Sequence, residues 1–399
     1  MFAFFTSARK AAARLTALVS LLWLAACSVP TTLTPTQDTG QRIDPGAPVQ
    51  VALLVPGTGG NQGDAIVSRS LENAARMAIS DLRGARIDLR VYNTGGGDPV
   101  QAAQVANAAV DDGAQIILGP LYSAAANAAG VAVSNRNVNV LSFSNTPTIA
   151  GGNVFILGPT FANTSNRLVK YANRQGITRY TVVHGNNTGG QFGRDAIANS
   201  IRASGGQVTA IEGYPLTQQG IVDAGARIAA SARSGGSDAI FFTGVPSGDG
   251  ADLPFVLDSV SAAGLLPSEA QFMGLTRWDA NPEVLGNPAA QGGLFTLPDQ
   301  GLNAQFENRY SAVYGSAPHS RAGLAYDGVA AIGALIAQGN ADALTKGGLT
   351  TPQGFQGTGG IFRFLPNGLN QRGLAVATIE NNTVTLLESA PRSFGGSGL

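Results

Sequence analysis

Cys27 is the only cysteine of the chain, and its thiol is the first group whose surroundings suggest chemistry. It follows Leu24-Ala25-Ala26 at the end of the apolar run Leu15 to Leu24, which Arg9, Lys10 and Arg14 precede. A positive start, a short apolar core and small residues before cysteine are the pattern of a bacterial lipobox, where the thiol is acylated and becomes the new first residue. The run is too short for a permanent bilayer span. A lipoprotein signal peptide over 1–26 is therefore expected, with Cys27 as the membrane anchor. Ser28 points to the outer membrane, since Asp there would favour inner-membrane retention. The plainer alternatives are a secreted protein with a chance cysteine, or an uncleaved anchor. With the thiol acylated, disulfides, thiolate metal sites and cysteine nucleophiles are excluded.

Hydroxyls and amides are the other candidates. Ser123 follows Gly119-Pro120 and is placed to open a helix, where free N–H groups and the helix dipole favour an anion. The alternative is a plain cap, just as the alternative for Thr146 before Pro147 is the start of a turn. Asn61 and Gln62 follow Gly57-Thr-Gly-Gly60 and either line a mouth or sit in a solvated turn. Arg277-Trp278-Asp279 reads as a cation–π and ion-pair cluster on a rim, or as a partner contact. No catalytic constellation is present. Gly-x-Ser-x-Gly, Gly-x-Gly-x-x-Gly and a Walker-type phosphate loop are missing. His184 and His319 are too few and too separated for a histidine zinc site. A non-enzymatic protein without metal or cofactor is expected.

Composition narrows the partners. Lys+Arg and Asp+Glu are 25 each, and loss of Arg9, Lys10 and Arg14 with the signal leaves 22 against 25. That balance gives no reason to expect nucleic acid. The mature chain, about 370 residues, is long enough for two lobes.

The elements that must position these residues alternate. Apolar runs at Val49–Val55, Ile87–Tyr92, Ile116–Leu118, Val138–Ser142, Tyr180–His184, Gln207–Tyr214, Ala239–Thr243 and Gln271–Gly274 read as strands. Ala-rich segments between them read as helices, including Ser70–Leu82, Ser123–Asn135, Asp195–Ser204, Val222–Ser234 and Pro254–Ala263. Asp98-Pro99 starts another, with an N-cap before proline. Such alternation predicts an α/β fold of parallel sheets covered by helices on both faces. Residues 27–48 read as a Thr/Pro-rich tether and 391–399 as a Gly-rich tail.

Arg90-Val-Tyr-Asn-Thr-Gly-Gly-Gly-Asp-Pro-Val-Gln-Ala102, Ile116-Ile-Leu-Gly-Pro-Leu-Tyr-Ser123 and Val140-Leu-Ser-Phe-Ser-Asn-Thr146 come in that order. Gln191-Phe-Gly193, Phe272-Met-Gly274, Gly293-Leu-Phe-Thr296 and Ala325-Tyr-Asp327 follow. Together they resemble the leucine/isoleucine/valine-binding protein family of type I periplasmic solute-binding proteins. The resemblance implies two α/β lobes joined by three hinge crossings, with a small-molecule ligand in the cleft between them at the strands' carboxyl ends. It places the crossings near Thr160, Pro298 and Gly357 to Arg363. Lobe 1 is then 49–160 with 299–356, and lobe 2 is 161–298 with 357–390.

The family holds its ligand's carboxylate with hydroxyls and backbone N–H groups, which the resemblance carries to Ser123, Ser144 and Thr146. Phe192 falls where the family closes an aromatic ring over the ligand. After Phe-Met-Gly, amino-acid-binding members carry a Glu for the ligand's ammonium; here Thr276 or its neighbour stands there. An unpaired buried ammonium loses roughly 2–5 kcal/mol, so a free amino acid is disfavoured unless Asp279 or Asp249 reaches in. Gly-Leu-Thr-Arg-Trp-Asp279 is similar to the branch of penicillin-binding-protein activators, lipoproteins that stimulate peptidoglycan synthases. That branch implies a peptidoglycan synthase as partner; the parent family implies an ABC permease.

Overall fold

The computed structural model describes residues 38–57, 62–244 and 252–395. The expected signal, Cys27, the tether to residue 37, Asn61, Asp249 and the tail from 396 lie outside the described residues.

Five runs build the first sheet: β1 (Val49–Val55), β2 (Ile87–Asn93), β3 (Ile116–Leu118), β4 (Asn139–Ser142) and β5 (Val154–Ile156). All pair in parallel, in the order β2-β1-β3-β4-β5. β1, β3 and β5 are almost continuously apolar because helices cover both faces. Those helices include α1 (Gln62–Asp81), α2 (Pro99–Asp111) and α3 (Ser123–Val133). Asp98 caps α2, its carboxylate accepting from the Val100 and Gln101 amides. α1 begins eight residues before the expected Ser70. Its first turns are held by polar contacts, with the Ser68 hydroxyl bonded to Asp64 O and accepting from Gly57 N, so they carry little apolar periodicity.

The second lobe holds α4 (Phe161–Arg174), β6 (Arg179–Gly185), α5 (Thr188–Ala203), β7 (Gln207–Tyr214), α6 (Gln218–Gly235), β8 (Ala239–Phe242), α7 (Leu253–Ala262), β9 (Gln271–Gly274) and β10 (Leu294–Leu297). The chain then returns to the first lobe as α8 (Gln300–Tyr314) and α9 (Ala322–Ile336), where Phe306, Tyr310, Val329 and Ile332 join the core of α1 and the first sheet. A small antiparallel sheet follows: β11 (Phe355–Gly357), β12 (Gly360–Phe364) and β13 (Asn370–Arg372). The hairpin β14 (Ala375–Glu380) and β15 (Thr383–Glu388) ends the second sheet, whose order is β15-β14-β10-β9-β8-β6-β7. Its turn residues Asn381 and Asn382 both take positive φ, as a two-residue hairpin turn requires.

Three expectations are corrected. The second sheet is mixed, not parallel: β14 runs antiparallel to β10, and β15 to β14. The segment 357–372, expected in lobe 2, packs on lobe 1. Phe362 and Phe364 sit in the first-lobe core, with Phe364 edge-on to Phe155 at 5.8 Å, so the third crossing falls between β13 and β14. Finally, 39–48 is not a tether. Ile43 is buried in the same core, its amide donates to Ala341 O at 2.9 Å, and Thr39 O accepts from Lys346 N.

Asp81 ties three first-lobe helices together. At the end of α1 it accepts from Arg309 of α8 at 2.7 and 2.9 Å and from the Tyr326 hydroxyl of α9 at 2.7 Å. The Arg309 hydrogen bond holds the Asp81 carboxyl below the usual carboxylate range. A depressed pKa contributes stability that is present above the unfolded value, about 3.9, and is lost as pH falls through the folded one. Asp81→Asn is therefore expected to lower stability at neutral pH and to flatten the acid limb below about pH 4. Urea midpoints measured across that range check it; an acid limb identical to the wild type contradicts it.

Candidate functional site

The segments that follow β4, β6, β9 and β10 line the space between the lobes, and candidate side chains lie on them. After β3 the chain turns at Gly119, whose φ is +93° and whose missing side chain leaves room for Leu54 O. Pro120 O then accepts from the Ser142 hydroxyl and the Phe143 amide. This sets the start of α3, with Ser123 as its first residue, half-buried. Ser123 is not the cap: Tyr122 stands there, with its hydroxyl donated to Asp64.

After β4 two hydroxyl turns follow in series. Ser142 Oγ accepts from Ser144 N, and Ser144 Oγ accepts from Thr146 N, both at 3.1 Å. Ser144 is buried, and its hydroxyl shapes the loop. Thr146, half-buried, precedes a single 3-10 turn, Pro147–Ile149.

Thr146 meets Phe192 in a cavity of about 530 Å³ between the lobes, together with Thr160, Phe161 and Asn199. Phe192 stands on the second turn of α5, which Asn187 caps by accepting from Gly190 N at 2.6 Å. Its ring is 41% exposed, so it is no core aromatic. Thr276 follows β9 and lines a neighbouring cavity of about 500 Å³, which shares Thr160 and Phe161 with the first. Ser123 and Ser144 line neither cavity. Gln62 opens α1.

Among the described residues the acids at the Thr276 cavity are Glu307 and Asp327, both from the first lobe. Asp327 is fully buried and closed by its neighbours, accepting from Thr358 N at 2.7 Å and from Arg372 Nη1 at 3.4 Å. Burial pushes its carboxyl up, against the pull of Arg372. Arg372 also donates to Leu157 O and lies over the Phe362 ring at 5.1 Å, so one ion pair fastens the first crossing and the small sheet to α9. Burial, aided by the charge of Arg321, lowers the pKa of His319 in the same cavity. Asp279 does not reach the cavity; it is chelated by Arg277.

Nor does Trp278 belong to an exposed rim cluster. It is fully buried and stacked on Phe295, with centroids 6.3 Å apart and planes at 16°. Gly274 and Gly293 flank the indole so closely that a side chain at either position would overlap it. Asp327–Arg372 was missed because the partners are 45 residues apart, and neither Asp327 in Ala325-Tyr-Asp327 nor Arg372 carries a local mark of the other.

A family model described as periplasmic binding protein matches residues 48–383. A structure from Rhodospirillum rubrum, whose name provisionally assigns it to branched-chain amino acid ABC transport, superimposes with a TM-score of 0.71 at 19% identity, covering 86% of this chain and 100% of that one. An ABC transporter substrate-binding protein from Desulfitobacterium hafniense in complex with Leu gives 0.60 at 19%, with the same coverages. An uncharacterized protein of Rickettsia prowazekii is 26% identical over 124 residues, 31% of this chain, so the chain matches only 32% of that curated relative's length. The model match spans both lobes and all three crossings, and the chain belongs to the periplasmic binding protein family.

Proposed function

We propose that the protein is a leucine-binding-like, non-catalytic envelope lipoprotein, anchored through Cys27, that acts as a penicillin-binding-protein activator on a peptidoglycan synthase. One observation carries this reading. Where the resemblance puts the acid for the ligand's ammonium stands Thr276 or its neighbour, and among the described residues the acids at its cavity come from the opposite lobe. Of those, Asp327 is already paired, and Glu307 accepts from Asn303 at 2.8 Å. A captured α-ammonium would lack its counter-charge, at roughly 2–5 kcal/mol, most of what separates micromolar from millimolar binding. The cleft then serves a ligand without that amine, or conformational signalling, and the partner is a protein. Purified full chain is expected to bind a bifunctional synthase and to raise its glycan polymerisation rate. No binding and no rate change sink the proposal.

A second reading, substrate-binding lipoprotein of an ABC importer for amino acids or related solutes, is favoured by the fold shared with the two transport-related structures. Thr146 and Phe192 would then be ligand contacts, with Ser123, Ser144 and Thr276 supporting the mouth. Solute uptake by a permease–ATPase pair that stops when this protein is deleted would support it over the first.

A further inference from the structure

α6 and α7 pack side by side on the second lobe, where Gly225 meets Ser259 and the Ser259 hydroxyl donates to Ile221 O at 2.8 Å. Beside that contact an open groove of about 850 Å³ runs between the helices. Small residues such as Ala226 and Ala262 line it, and the large apolar Leu216, Val222 and Phe255 stand along its walls with them. Val222 and Phe255 are each 58% exposed and Leu216 is 42% exposed, so the walls are apolar and uncovered.

The charge at the groove has one sign. Among the described residues Asp252 and Asp258 line it and no Lys or Arg does. Asp258 accepts from Asn287 at 2.8 Å. Asp252 receives the Tyr214 hydroxyl on Oδ2, while its buried Oδ1 has no partner among the described residues. Two carboxylates with no Lys or Arg beside them among the described lining residues favour a partner that brings a cation. An open apolar groove between two helices is a surface on which a third helix can lay its apolar face.

We propose that this groove docks an amphipathic helical segment of a partner protein, with apolar anchors between Val222 and Phe255 and a Lys or Arg reaching Asp252. The inference deepens the accessory reading above, on which it rests for the partner's identity, by naming the contact surface.

The test uses the full chain and a labelled amphipathic Leu/Lys peptide, with its Leu/Glu counterpart as control. Saturable, salt-weakened binding of the basic peptide alone is expected. Val222→Glu and Phe255→Glu, both exposed, should each weaken it by roughly tenfold or more. Asp252→Asn should weaken it and reduce its salt dependence. Equal binding of the acidic peptide, or no effect of either groove variant, overturns the proposal. So does self-association, or vesicle binding, that the same variants abolish while leaving peptide binding intact. A synthase arm separates the two claims. If wild type and Val222→Glu bind the synthase equally, the groove is wrong and the accessory reading stands. If wild type does not bind the synthase but still takes up the basic peptide in the groove, the reverse holds.

Discussion

Trp278→Ala is expected to destabilise the protein by about 3–5 kcal/mol, as the loss of a large, fully buried aromatic does. The indole is enclosed by Phe295, Gly274 and Gly293, and glycines cannot move in to fill the space. Trp278→Phe should cost much less. It keeps the stacking on Phe295 and removes an indole N–H that is buried without a partner among the described residues. Because Trp278 sits two residues beyond Thr276, the alanine variant also loosens the second-lobe edge of the cleft. Denaturant midpoints with unchanged slopes measure the effect. An alanine variant as stable as wild type would mean that the second-lobe core is not closed around this ring.

Asp327→Ala is the second large loss, also about 3–5 kcal/mol, since it leaves Arg372 charged and buried without its carboxylate. Only 10% of the Arg372 side chain is exposed, so water offers little compensation. Asp327 also accepts from Thr358 N, so the small sheet loses a second fastening. The double variant Asp327→Leu with Arg372→Leu should recover part of the loss, because no unpaired charge remains. It should not recover all of it, since Arg372 also bonds Leu157 O and covers Phe362. A double-mutant cycle reads this directly. Strictly additive losses would contradict a coupled pair at the hinge.

Strand–helix alternation was legible because parallel strands covered on both faces are continuous apolar runs, as β1, β3 and β8 are. Element starts were less so. The first turns of α1 and α5 are rich in Gly, Ser and Asp or Asn, which lower helix propensity and weaken the apolar period. The lobe assignment of 357–372 was hidden for a different reason. Phe355, Phe362 and Phe364 mark burial, but alternation in so short a run does not say against which sheet.

The site divides the same way. Thr146 and Phe192 sit on different lobes, and only the order of motifs suggested that they meet. Ser123 and Ser144 illustrate how a hydroxyl at the right spacing can be absorbed by local structure: one opens a helix capped elsewhere, the other holds a turn. Nothing in the residues around Arg277-Trp278-Asp279 distinguished an exposed patch from a buried ring beside a self-paired arginine.

Isothermal titration of leucine, isoleucine, valine and the other free amino acids into the full chain puts the least between the account and a result. With threonine at position 276 and no second-lobe acid at its cavity among the described residues, the heats should match dilution throughout the micromolar range. A micromolar complex, with the bound amine resting on an acid of the second lobe, would contradict it and return the protein to the solute receptors.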